Sequence, residues 1–183
     1  MKLDLQVWLE FLGHFNGKAI WQCKWLPGSS LQVQSDAARG TGFGIYCMGS
    51  WCARKWPPAW AREGINWDLT FLELFPIVAA VIIWRDIFKD KQITFWCDNQ
   101  AVVAVINRQS SKSGRVMRLV RRLVSLCLSA NVTFRSKFVP GLDNGIPDSL
   151  SHFQFDRFRT LAPWANSEPD PFPEDLWSLG NKK

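Results

Sequence analysis

Four acidic residues, Asp36, Glu73, Asp98 and Asp148, are spaced so that one fold can bring them to one place. Asp36 ends an alternating stretch, Leu31-Gln-Val-Gln-Ser35, with the period of a half-buried strand. Asp98 closes a run of β-formers, Ile93-Thr-Phe-Trp-Cys97. Glu73 lies within Phe71-Leu-Glu-Leu-Phe75, where an acid among large apolar side chains is costly without a partner. Asp148 follows a Gly- and Pro-bearing loop. Carboxylates gathered at one spot repel each other. Hard divalent cations remove that cost, and Mg²⁺ prefers carboxylate plus water. Two such ions about 3.5–4 Å apart would activate a water and stabilise a leaving oxygen in phosphodiester hydrolysis. Taken singly, each acid also has a plain structural use. Asp36 could end a strand at a turn, Asp98 could cap a helix, and Asp148 could face a helix N-terminus.

The elements that must position these acids follow from periodicity and breakers. Three strands come first, from Leu31, from Phe43 to Met48, and from Ser50 to Trp56, the last ended by Pro57-Pro58. Gly40-Thr-Gly-Phe-Gly44 lacks the lysine of a phosphate loop and precedes no helix, so its glycines are expected to serve a tight turn. Asp68 is a predicted N-cap for a helix from Leu69 to about Phe88, kinked by Pro76. A fourth strand ends at Cys97, and Asn99 to Asn107 reads as a helix. Arg115 to Ala130 is amphipathic, with Val116, Leu119, Val120, Leu123, Leu126 and Cys127 inward and Arg115, Arg118 and Arg122 on the other side. Val132 to Val139 is a fifth strand, and Pro147 suits the start of a final helix. Strands joined by tight turns are antiparallel, and strands joined through a helix are parallel. The expected fold is therefore α/β: a mixed five-stranded sheet, an antiparallel meander plus two parallel strands, flanked by helices. Ligand sites in such sheets gather at strand ends where crossovers part.

Residues 1–30 read as a connector arm, with Leu5, Trp8, Leu9 and Leu12 on one helical face and turns at Phe15-Asn-Gly17 and Pro27-Gly-Ser-Ser30. Residues 31–157 form the expected domain, and 158–183 an extended Pro- and acid-rich tail. The longest uncharged apolar run, Leu74 to Trp84, has eleven residues. A bilayer needs about twenty. Asp4 and Glu10 stand where a signal peptide would be basic and then apolar, which points to an intracellular protein, cytoplasmic or nuclear. Five cysteines without CxxC spacing read as reduced thiols and not as a zinc site. The net charge of +6 is uneven, for no acid lies between Asp98 and Asp143 while eight basic residues do. Such a stretch points to a polyanion partner, with Lys112, Arg115, Arg118 and Arg122 as its candidate contacts.

The same acids sit in stretches that resemble the ribonuclease H domain of retroelement reverse transcriptases, above all those of DIRS-type, tyrosine-recombinase retrotransposons. The matching stretches are Ser35-Asp-Ala-Ala38 with Gly42-Phe-Gly44, Trp51-Cys-Ala53 with Trp56-Pro-Pro58, and Phe71-Leu-Glu-Leu-Phe-Pro-Ile77. Cys97-Asp-Asn99 with Ala101-Val-Val103, Val139-Pro-Gly141 with Asn144, and Asp148-Ser-Leu-Ser151 complete the set. The arm around Trp8-Leu-Glu-Phe-Leu12 and the tail around Leu161-Ala-Pro-Trp-Ala165 also fit. The resemblance implies a ribonuclease H-like fold and Asp36, Glu73, Asp98 and Asp148 as catalytic and metal-binding residues for two Mg²⁺ or Mn²⁺ ions. It further implies cleavage of the RNA strand of RNA–DNA hybrids and a reverse transcriptase domain on the N-terminal side.

Three positions depart from that family's pattern. The histidine usual ten residues before the last Asp is Phe138, the Ala before that Asp is Pro147, and the Arg after Leu-Ser is His152. Phe138 keeps an alternative open: a catalytically silent, nucleic-acid-binding remnant of such a domain. A third reading is a DDE-type transposase or integrase core. It is disfavoured by the last acid standing after a Pro-Gly loop and not on a long helix.

Overall fold

The computed structural model describes residues 2–13 and 30–180. The turns expected near Asn16 and Pro27 and the thiol of Cys23 lie outside the described residues. Five strands form one sheet: β1 (Leu31–Ala38), β2 (Gly42–Cys47), β3 (Ser50–Lys55), β4 (Gln92–Cys97) and β5 (Thr133–Phe138), in the spatial order β3-β2-β1-β4-β5. β1, β2 and β3 pair antiparallel, and β4 lies parallel to both β1 and β5. This is the expected mixed sheet. Met48 and Gly49 both have positive φ, so the β2–β3 connection is a two-residue turn that matches strand twist.

Among the described residues, eight α-helices accompany the sheet: α1 (Lys2–Gly13), α2 (Pro58–Arg62), α3 (Leu69–Ile83), α4 (Arg85–Phe88), α5 (Gln100–Arg108), α6 (Gly114–Ser129), α7 (Gly145–Ser151) and α8 (Phe155–Leu161). Asp68 caps α3 by accepting from the Phe71 amide at 3.0 Å. The expected helix to Phe88 is divided at Trp84, so one long element becomes α3 and the single turn α4. Asn99 caps α5 by accepting from the amides of Ala101 and Val102. Asp98 is thereby left outside the helix. Pro147 is the third residue of α7, not its first, and α7 is not the last helix.

One face of the sheet is buried, and the other is covered only in part, with Gln32 and Lys137 exposed on it. Val33, Phe43, Ile45, Phe95 and the apolar stripes of α3 and α6 build the larger core. α7 and α8 cover the other face of β1, β2 and β3, where Leu150, Phe158 and Ala162 meet Tyr46, Trp51 and Ala53. The stretch expected as an extended tail stays on the body. Asp170 donates its amide to the Trp51 carbonyl at 2.8 Å and accepts from Trp84 Nε1 at 2.9 Å. Glu174–Gly180 then form a 3-10 segment whose Trp177 stacks on Phe75 at 5.4 Å between ring centroids and meets Phe172 at 4.6 Å. Composition reads this stretch as extended because of its prolines, but Phe172, Leu176 and Trp177 cover an aromatic cluster that would otherwise face water.

α1 rests against α6, where Val7 and Phe11 face Met117, Val120 and Val124. Asp4 pairs with Arg121 Nε at 2.7 Å. Leu5, Leu9 and Leu12 point outward. No described helix is long and apolar enough to cross a membrane.

Candidate active site

Asp36 lies on the face of β1 that α7 covers, because side chains alternate across a strand. Its register partner on β2 is Gly44. A Cβ on Gly44 would stand 2.4 Å from Leu150 Cβ, 2.6 Å from the Pro147 carbonyl and 2.9 Å from the Ser151 amide. The glycine therefore lets α7 lie directly on the sheet. This corrects the sequence expectation: Gly42 and Gly44 are strand residues of close approach, and the turn is made by residues 39–41. With α7 so close, Ser151 donates its hydroxyl to Asp36 Oδ2, and Asp148 is brought beside Asp36. Asn144 fixes the start of α7, as its Nδ2 donates to the Ser35 carbonyl at 3.0 Å.

Glu73 reaches the same region from α3 and is almost fully buried. Cys97 Sγ lies 4.0 Å from Glu73 Oε2. Asp98 follows directly, half-buried, with the β5–α7 loop passing at Gly141. Ligand-capable atoms of Glu73, Cys97 and Asp98 lie within 4.8 Å of one another, as do those of Asp36, Asp148 and His152. The two groups are electrostatically one. Burial raises Asp36 to about 6, against the hydrogen bond from Ser151, and Asp98 and Asp148 raise it further. Burial, with Asp36 and Asp98 facing it, raises Glu73 to about 9. Burial also holds Asp98 above the usual carboxylate range, with Asp148 adding to the effect. Burial pushes the Cys97 thiol far up, so it is no nucleophile.

The four acids singled out in the sequence thus converge at the C-terminal ends of β1 and β4. The donor set is all hard oxygen apart from Cys97 and His152, and its repulsion is uncompensated at Glu73. Among the described residues no cation pairs with Asp36, Glu73 or Asp98. Such a set fits hard divalent ions.

Of the candidate nucleic-acid contacts, Arg115 lies with its guanidinium 6.0 Å over the Phe71 ring, two residues before Glu73. Lys112 and Arg122 are exposed, and Arg118 is half-buried. Phe138 ends β5 opposite Cys97 and is 42% exposed. Sequence reasoning gave no role to Arg157 of α8, which forms an ion pair with Asp148 Oδ2. It lies nine residues beyond Asp148 on a helix that composition concealed. His152 is exposed, as a surface histidine would be, and its Nδ1 stands 3.4 Å from Asp148 Oδ1, one helical turn back.

No protein-family profile matches the sequence, and no curated protein matches it. Among solved structures, the chain is similar to the crystal structure of RNase H1 from the halophilic archaeon Halobacterium salinarum NRC-1. The identity is 17%, the match covers 70% of this chain and 98% of that one, and the TM-score is 0.51. At that identity the likeness concerns the fold, and the fold is ribonuclease H-like.

Proposed function

We propose that this chain is a metal-dependent endonuclease that hydrolyses the RNA strand of RNA–DNA hybrids, derived from a retroelement reverse transcriptase. The observation that carries the reading is the convergence of four carboxylates at the ends of β1 and β4 on a ribonuclease H-like sheet, with Glu73 and Asp36 strained by burial and mutual repulsion. Asp36, Glu73, Asp98 and Asp148 would hold two Mg²⁺ or Mn²⁺ ions, which when bound supply Lewis-acid and water-activating chemistry. The chain's own residues hold that arrangement in place. Ser151 orients Asp36, Asn144 ties the loop before Asp148 to β1, and the Asn99 cap keeps Asp98 free of α5. Lys112, Arg115, Arg118 and Arg122 would contact the phosphates, which position a duplex without reading its sequence. Discrimination of RNA would rest on its 2′-hydroxyls. The outward Leu5, Leu9 and Leu12 of α1 support a neighbouring reverse transcriptase domain on the N-terminal side.

The test is cleavage of a strand-labelled RNA–DNA hybrid in Mg²⁺ or Mn²⁺, beside Asp98→Asn. The expected result is cleavage of the RNA strand alone, lost in the variant with hybrid binding retained. Asp98→Asn removes ligand charge without bulk, so activity that survives it places the chemistry elsewhere. A folded protein that binds the hybrid and never cleaves it would be the silent binding module instead.

A further inference from the structure

Asp148 differs from the other three acids in its company. Its Oδ2 accepts from Arg157 Nη1, and its Oδ1 stands 3.4 Å from His152 Nδ1. Arg157 does not drift there on a loose segment. Phe153, with φ +56, turns the chain between α7 and α8, and the Gln154 amide donates to the Ser149 carbonyl at 2.8 Å. Phe158, the residue after Arg157, is fully buried against Tyr46 and Trp51. The backbone of α8 is fixed, and the guanidinium reaches across to α7. Its side chain is nonetheless 47% exposed, and Gln154 Oε1 accepts from the same Nη1 at 2.9 Å. The guanidinium therefore has an acceptor on its own side and solvent to move into.

We propose that Arg157 is the internal counter-cation of this site: it occupies Asp148 when no divalent ion is bound and releases it when one binds. The inference rests on the reading of the four acids as a metal site. A lone pair of Asp148 Oδ2 engaged by a guanidinium donor is not free for a metal ion, and a fixed positive charge at that distance repels one. Arginine keeps its charge throughout the working pH range, so the competition does not switch off with pH. Arg157 is a positioning residue. It sets the ion concentration at which the site fills, and with it the balance between a self-neutralised and a loaded site.

Mn²⁺ binding to the full chain, followed by titration calorimetry, tests this without any substrate. Arg157→Gln is expected to bind Mn²⁺ about three- to tenfold more tightly than the unaltered chain. Arg157→Lys, which keeps the charge but not the planar fork, should fall between them. Lys89→Gln, an exposed cation between α4 and β4, should change nothing. Without metal, Arg157→Gln should also melt below the unaltered chain, and saturating Mn²⁺ should close that gap. Equal Mn²⁺ affinity in the unaltered chain and both Arg157 variants overturns the proposal. Weaker affinity in the variants also overturns it, since Arg157 would then be aligning Asp148 for the ion. Absence of Mn²⁺ uptake by all four proteins rejects the metal-dependent reading itself, and this inference with it.

Discussion

Glu73 holds its proton far above the ordinary carboxylate range because burial strips its water and two further acids face it. The sign of its effect on stability follows. The folded carboxyl, near 9, keeps a proton that the unfolded chain loses near 4.5. The native state then binds more protons than the unfolded state, so stability falls as pH rises through that window. Asp36, raised to about 6 from 3.8, adds to the fall at its acid end. In metal-free protein, Glu73→Gln should flatten the decline in melting temperature between pH 5 and 9 and raise stability at pH 8. An unchanged slope would mean that Glu73 is not the strained group. Phe138 supports a second prediction at this scale. It is exposed at the end of β5, and the loop that follows passes Asp98. Phe138→His should raise turnover on a hybrid by about a hundredfold or more, the scale of a placed acid or base. An equal rate in both proteins rejects the view that the usual histidine is what this chain lacks.

Gly44 shows how one element positions another. The contacts a Cβ would make are to Leu150 Cβ and to the α7 backbone at Pro147 and Ser151, none of which can yield without moving α7, and with it Asp148, away from Asp36. Gly44→Ala should lower stability by about 1–3 kcal/mol and weaken Mn²⁺ binding together, measured by denaturant melting and calorimetry. Loss of stability with unchanged binding would separate the packing of α7 from the site. The 3-10 segment after α8 makes a purely structural claim. Trp177→Ala removes a ring that stacks on Phe75 and touches Phe172, and should cost about 3 kcal/mol with the acids undisturbed. The contrast between these two places also explains what could be read in advance. The hairpins of β1 to β3 and the stripe of α6 are local patterns of period two and 3.6, and these are visible in a sequence. The strand that ends at Cys97 was readable from its run of β-formers, but the cap was not: the sequence offered Asp98 as a helix cap, whereas Asn99 caps α5 and leaves Asp98 free. The roles of Gly44 and Trp177 were not readable, because each is defined by a partner far away in the chain, and that of Arg157 was hidden by the turn that folds α8 back beside α7. Prolines and acids around Phe172 mask the only local sign that the segment folds back.

At the scale of the whole molecule, charge is divided between two regions. The acids collect at the C-terminal ends of β1 and β4, and the basic residues from Arg108 to Lys137 fall on elements beside them with no acid among them. A polyanion would be drawn to the basic side and meet the acids only where ions screen them. Arg115, over Phe71 at the start of α3, stands between the two regions. Lys112 and Arg122 are exposed on α6 and the loop before it, away from the α3 contact. Replacing both with Gln should leave the fold and Mn²⁺ binding unchanged, since neither packs in the core. It should weaken hybrid binding more at low salt than at high. The slope of log affinity against log salt should fall by about 1.8, close to 0.9 for each phosphate contact removed. The measurement is a hybrid-binding titration across a salt series with Asp98→Asn in the background, so that cleavage does not intrude. An unchanged slope would place the hybrid away from α6, and the basic stretch would then be a solvated helix face rather than the path by which a duplex reaches the acids.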